Sequence, residues 1–283
     1  MTDTQYPARV AVIGGGRMGA GIAQVFATIG SRIEIAESGD REAATNRVAT
    51  GLRRAAERGK LEDASPEDVL ARVSTVASPA DIDAETDLVV EAVPEDARLK
   101  IDVLTQAEKV VAPTAVLASN TSSLSIAELG SVLVDPSRFL GMHFFNPVPV
   151  SELVEIVTTP VTSSDVADRA IAWVHLLGKV EVVVRDSPGF ATSRLGVALG
   201  IEAIRMLEEG VADAASIDRA MELGYRHPMG PLRSTDLVGL DVRLAIADHL
   251  AATLGPRFAP PQLLRDKVAR GELGRKSGRG FHD

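Results

Sequence analysis

Two ionisable side chains lie where hydrophobic strands should carry none. In GMHFFNPVPVSELVEIV, residues 141–157, His143 ends one apolar run and Glu155 lies inside another. Strand alternation puts Glu155 on one face with Leu153 and Val157. A carboxylate among aliphatic side chains is costly to ionise unless it is paired. His143, a dozen residues upstream, is the natural partner. An imidazole titrates near neutral pH in water. A carboxylate beside it fixes its tautomer and favours the imidazolium once a proton is taken. Such a pair can draw the proton from an alcohol while hydride leaves the same carbon. The competing possibility is a core pair that only satisfies itself.

A hydride needs an acceptor, and the start of the chain offers a place for one. Gly14, Gly16 and Gly19 make G-x-G-x-x-G between the strand-like RVAVI and a helical pattern that ends near Gly30. In that context the motif cradles a dinucleotide. Gly14 allows the tight turn, Gly16 lets a pyrophosphate approach the backbone, and Gly19 lets helix and strand pack closely. The helix N-terminus then offers free N–H groups to the phosphates. Arg17 and Met18, inside the motif, go with it as cofactor-side residues. Glu37 ends the second strand, about 20 residues on, where an acid accepts hydrogen bonds from the ribose of NAD. It would repel the extra phosphate of NADP, although Arg32 and Arg41 are near enough in sequence to soften that preference.

More polar groups follow later strands. LASNTSSLS offers Asn120, Ser122 and Ser123, and HFFNP offers Asn146. Ser125 and Glu128 fit a capping box, which leaves Ser122 spare to donate to a hydroxyl or carbonyl. Ligands of open parallel sheets bind beyond the carboxyl ends of the strands. On this expectation the three candidate groups, after AVLAS, after GMHFF and at Glu155, gather at that edge.

The elements that must position these residues alternate. Strand-like RVAVI, RIEIAE, TDLVVEAV and AVLAS are separated by helical patterns, including residues 41–59 and 97–111. This rhythm predicts right-handed βαβ units and a parallel sheet. It changes near residue 186, after VEVVV and the turn DSPGF. From there only long helical patterns follow, among them LRSTDLVGLDVRLAIADHLAATLG as one segment. The prediction is an α/β domain, residues 1–185, then an all-α domain, residues 186–283. The basic, glycine-rich tail GELGRKSGRGFHD is expected to fray.

Composition narrows the function classes. The 283 residues carry a net charge of −9, are 45% hydrophobic and contain no cysteine. The acidic balance argues against general nucleic-acid binding. Without cysteine there are no disulfides, thiol nucleophiles or thiolate metal sites, and no metal is expected. The short polar start MTDTQYP and the lack of long apolar runs predict a cytoplasmic protein with no membrane association.

Taken in order, VAVIGGGRMGAGIAQVFA, DLVVEAVPED, ASNTSSLSI, GMHFFNPVPV, LVEIV, DSPGFATSRL, HPMGPLRSTDLVGLD and GRKSGRGF resemble the 3-hydroxyacyl-CoA dehydrogenases, most closely the bacterial 3-hydroxybutyryl-CoA branch. The likeness runs from about residue 8 to 281. It implies a Rossmann-type NAD-binding domain, an all-α C-terminal dimerisation domain that makes a homodimer, and a site in the cleft between them. It implies the chemistry of fatty-acid β-oxidation. His143 becomes the base on the C3 hydroxyl, Glu155 its orienting partner, and Ser122 a contact to the substrate oxygen, with Asn146 beside them. Glu95 and Lys100 match cofactor-side residues, as Asn120 does. Arg54 and Arg58, four apart on one helix face, stand where the family often has lysines that touch coenzyme A. Two positions depart from the family. Ser193 replaces a substrate-binding asparagine, so that either a water bridges the gap or the shorter side chain reaches alone. His282 replaces a tyrosine, with little consequence expected.

The function this implies is reversible, NAD-dependent oxidation of an (S)-3-hydroxyacyl-CoA to the 3-oxoacyl-CoA. Two other functions fit less of the sequence. One is a dehydrogenase for a dicarboxylic 3-hydroxyacyl-CoA, such as 3-hydroxyadipyl-CoA, or for a non-CoA 3-hydroxy acid. The other is a non-catalytic NAD-binding protein, against which His143, Glu155 and Ser122 together argue.

Overall fold

Central strands that no water reaches need helices on both faces, and the first half of the chain supplies them. The computed structural model describes residues 6–61 and 64–282. The chain divides into two compact units, residues 1–186 and 187–283.

The first unit begins with β1 (Arg9–Ile13), α1 (Arg17–Thr28), β2 (Arg32–Ala36), α2 (Arg41–Glu57), α3 (Pro66–Leu70) and β3 (Val73–Val76). It continues with β4 (Leu88–Glu91), α4 (Ala97–Glu108), β5 (Val116–Ser119), α5 (Ile126–Gly130) and β6 (Phe139–Phe144). It ends with β7 (Leu153–Thr158), α6 (Ser164–Leu176) and β8 (Val180–Arg185). All strands join one eight-stranded sheet in the order β3-β2-β1-β4-β5-β6-β7-β8. β4 and β5 are buried along their whole length, as a central parallel strand should be. Phe26, Phe144 and Trp173 belong to the core beneath α1 and α6. The edge strand β8 leaves Val180 and Val183 more than half exposed.

The sheet is not wholly parallel, which corrects the expectation from the alternating pattern. β7 runs antiparallel to β6, and β8 runs parallel to β7. The residues between β6 and β7, 145–152, hold no helix. A parallel crossover needs a dozen or more residues, so this short connection must reverse the chain. Glu155 therefore does not lie at the carboxyl edge of a parallel sheet. It lies within β7, directly opposite His143 in the ladder.

The second unit is helical: α7 (Thr192–Glu208), α8 (Ala214–Gly224), α9 (Pro231–Val238), α10 (Leu240–Leu254) and α11 (Gln262–Ala269). Its apolar side chains form one cluster around Ile204, Leu232, Leu240 and Leu264 and another around Val197, Ile201, Leu250 and Phe258. The long helical pattern after residue 231 is two helices, broken at Gly239, whose φ of 105° a side chain would strain.

The tail does not fray. The backbone N–H groups of Phe281 and His282 both donate to the carboxylate of Asp236, at 2.8 Å each. The His282 ring lies 2.7 Å from Asp218, which also accepts from the first N–H groups of α9. A side chain at Gly274 would strike the backbone of Asp236 at 2.3 Å. Two buried acids thus hold a segment whose composition suggested a loose end. No helix among the described residues is long and apolar enough to cross a membrane.

Candidate active site

Each glycine of the motif does a different job. Gly14 has φ 100°, and a Cβ there would stand 2.9 Å from the carbonyl oxygen of Ala92. At Gly19 a Cβ would fall 1.8 Å from the carbonyl oxygen of Gly14, so α1 packs against the turn only because no side chain intervenes. At Gly16 a Cβ would meet nothing within 4 Å. That open side is where a ligand can approach the backbone. Gly16 is also the N-cap of α1, and no side chain caps the helix. Its first N–H groups stay available to an anion. Glu37 lies beside this turn: one carboxylate oxygen accepts from the N–H of Gly15 at 2.8 Å and the other from Gly39 at 2.7 Å. A carboxylate has about four acceptor sites, so capacity remains for ribose hydroxyls. These features fit a dinucleotide. Arg47, absent from the sequence expectations, braces the turn by donating to the carbonyl of Gly15 at 2.9 Å. Met18 packs on the core beneath, while Arg17 is exposed.

Beyond β4 lies a buried ion cluster. Lys100, 1% exposed, donates to Glu91 at 2.7 Å and pairs with Glu95 at 3.1 Å. The other oxygen of Glu91 accepts from Ser119 at 2.5 Å. Glu95 gathers the loop after β5, accepting from the hydroxyl of Thr121 at 2.6 Å and the N–H of Ser122 at 3.0 Å. Partial burial raises the pKa of Glu95, but the Lys100 charge and these hydrogen bonds outweigh it and hold the carboxyl below its usual range. Glu91, Ser119 and Thr121 were not among the residues expected from sequence. Glu91 could have been: a lone acid inside the apolar run LVVE needs a buried partner.

The expected contact between His143 and Glu155 is present. His143 Nδ1 lies 2.7 Å from a carboxylate oxygen of Glu155, which is fully buried. The His143 ring also packs on Phe145, with centroids 4.4 Å apart. Two links tie the serine loop to this strand. Ser119 is in register with Gly141, and the side-chain oxygen of Asn120 accepts from the N–H of Phe144 at 2.8 Å. Ser122 is thus carried on a loop held by Glu95 and tied to β6.

A groove of about 880 Å³ opens beside these elements. Its walls include Arg17 and Gly21 of α1, Arg47 and Arg54 of α2, Arg58 at the end of α2, and Asn146. Arg54 and Arg58 are exposed and share one wall, a basic margin on an acidic protein. Ser193 belongs to the second unit, in the first turn of α7. Among the described residues no group of three or more His, Asp or Glu could hold a metal ion.

Two family models match the chain: the NAD binding domain of 3-hydroxyacyl-CoA dehydrogenase over residues 9–187 and its C-terminal domain over residues 189–283. A 3-hydroxybutyryl-CoA dehydrogenase of Mycobacterium tuberculosis is 42% identical over 279 residues, 97% of either chain. The mitochondrial hydroxyacyl-coenzyme A dehydrogenase of Sus scrofa is 40% identical, over 96% of this chain and 90% of that one. Among solved structures, the (S)-3-hydroxybutyryl-CoA dehydrogenase of Ralstonia eutropha aligns with a TM-score of 0.92 at 39% identity, over 98% of each chain.

Proposed function

We propose, because the chain belongs to the 3-hydroxyacyl-CoA dehydrogenase family, that it catalyses the reversible oxidation of an (S)-3-hydroxyacyl-CoA, 3-hydroxybutyryl-CoA among them, to the 3-oxoacyl-CoA. The observation that carries the mechanism is the 2.7 Å contact between His143 Nδ1 and Glu155. With Nδ1–H donated to the carboxylate, Nε2 is the basic nitrogen. It takes the proton of the C3 hydroxyl as the C3–H bond breaks and the carbonyl forms. The imidazolium so produced is stabilised by a carboxylate held in low dielectric, where the attraction is strong. Bound NAD supplies the hydride acceptor. The glycine turn, Arg17, Met18 and Glu37 would hold it, with Glu95, Lys100 and Asn120 as further cofactor-side residues.

Ser122 donates to the substrate oxygen, and Asn146 and Ser193 complete its surroundings. Arg54 and Arg58 hold the phosphates of coenzyme A, with charge-assisted hydrogen bonds. The helical unit makes a homodimer. In its support, α9 and α10 expose Leu237, Val238 and Val242 between 42 and 49%, and Leu223 and Tyr225 are 75% exposed. The protein works in the cytoplasm.

The test is oxidation of NADH followed by absorbance with acetoacetyl-CoA as substrate. Turnover is expected, with NADPH much the poorer cofactor. Absence of turnover by folded protein that binds NAD would leave a non-catalytic binding protein.

A further inference from the structure

The groove of about 880 Å³ lies within the first unit, and one of its walls holds a polar group that neither the glycine turn nor the catalytic pair uses. Gln24, inside α1, lines the groove and is only 4% exposed. Among the described residues its side-chain amide has no hydrogen-bond partner. The bond from the Thr28 hydroxyl, at 2.9 Å, goes to its backbone carbonyl.

Gly51 of α2 lies against that amide. A Cβ there would fall 2.1 Å from the amide oxygen and 3.0 Å from the amide carbon. The side chain of Gln24 therefore occupies room that only a glycine leaves. Gly51 lies well inside α2, where glycine is less favourable than alanine. Two local choices thus run against stability at one point. The glycine weakens the helix, and the space it leaves is filled by an amide withdrawn from water without a partner, which is costly. Alanine at 51 facing an aliphatic residue at 24 would avoid both costs.

We infer that Gln24 binds an amide of the pantetheine arm of coenzyme A. The inference rests on the acyl-CoA dehydrogenase function above, in which Arg54 and Arg58 hold the phosphates. Gly51, Arg54 and Arg58 follow one another at helical spacing, and all three line the groove. Along the axis of α2, Gly51 stands about 5 Å from Arg54 and about 10 Å from Arg58. The pantetheine arm grows directly from the diphosphate, so a coenzyme held by its phosphates at the arginines lays this arm across Gln24. Besides a hydroxyl, the polar groups of the arm are secondary amides, each with an N–H to give and a carbonyl to satisfy. A glutamine side chain answers both, since its oxygen accepts and its N–H groups donate. The arginines of the groove can only donate.

The experiment follows NADH oxidation with acetoacetate carried as three thioesters: of coenzyme A, of pantetheine, which keeps the amides without the nucleotide, and of ethanethiol, which has neither. The readout is the ratio of kcat/KM for the pantetheine ester over the ethanethiol ester, in which a general loss of activity cancels. It is expected to exceed about tenfold in the wild type and to fall by about tenfold in Gln24→Met, as for lost paired hydrogen bonds. Gly51→Ala keeps the glutamine but pushes its amide aside, and the ratio should fall by a similar factor. The double variant should fall no further, because both changes remove one interaction. A wild-type ratio near one overturns the inference, and so does a ratio unmoved by Gln24→Met. A full further fall when Gly51→Ala is added to Gln24→Met also overturns it, since the glycine would then act without the amide. Absence of turnover of acetoacetyl-CoA by the wild type overturns the dehydrogenase function and this inference with it, whereas normal turnover with an unmoved ratio overturns the inference alone.

Discussion

Lys100 and Arg243 are both cations shut away from water, and their surroundings are opposite. Lys100, in the sheet unit, has Glu91 at 2.7 Å and Glu95 at 3.1 Å. Arg243, in the helical unit, has two glycines and, among the described residues, no acid beside it. His143 follows the first pattern, with Glu155 across the ladder. At these two sites the first unit brings the opposite charge from its own strands and helices, whereas its buried Lys179 is held by the carbonyls of Val148 and Ser151. Such groups are closed circuits that hold backbone in place. A buried cation with no acid beside it is an open circuit.

The sharpest break of this contrast is to put Lys100 into the condition of Arg243. Glu91→Leu removes the buried acid and is expected to cost about 3–5 kcal/mol, as for one lost member of a buried pair. Urea unfolding would read this as a lower midpoint at unchanged slope. A cost under about 1 kcal/mol would mean that Glu95 alone balances Lys100. Next, His143→Gln keeps a polar side chain opposite Glu155 but removes the base, and kcat should fall by about 100-fold or more. Near-normal turnover would show that the pair is structural. Among exposed cations, Arg54→Ala with Arg58→Ala should raise KM for acetoacetyl-CoA by about tenfold, through lost phosphate contacts. KM for a truncated thioester without the nucleotide should not follow. An equal rise for both would remove the arginines from coenzyme A.

Smaller effects probe the same contrast. Arg243→Met should leave unfolding stability unchanged or raise it by about 1 kcal/mol, since an unbalanced charge gives way to apolar volume. A loss above about 2 kcal/mol would mean that the guanidinium is already satisfied. The last concerns pH. Glu95 has a folded pKa held below the usual range by Lys100, Thr121 and Ser122 despite its partial burial. Its contribution to stability is therefore complete above the ordinary carboxylate range and is lost as pH falls through the lower, folded value. Glu95→Gln should flatten the acid limb of a stability–pH curve, and an unchanged limb would place the acid sensitivity elsewhere.

How much of this could be read from the residues depends on distance along the chain. The glycine turn and Glu37 were legible because their spacing is local and the strand–turn–helix context surrounds them. His143 and Glu155 were legible as a pair from chemistry, but their geometry was not. The alternating pattern suggested a shared sheet edge, whereas the short 145–152 connection reverses the strand and makes them cross-strand neighbours. The tail misled because composition says nothing of Asp218 and Asp236, far upstream in the chain. Arg243 was the least legible. In LDVRLAIAD it reads as a surface residue, and its burial follows from glycines on a different helix.

The ladder between β6 and β7 has one more consequence. His143 meets Glu155 because Phe144 faces Val154 and Gly141 faces Val157. A slip of one residue would present Val154 or Ile156 instead and turn the carboxylate to the opposite side of the sheet. The connection 145–152 also lines the groove through Asn146 and Pro149. Insertions or deletions there that shift the ladder would part His143 from Glu155 without changing either residue.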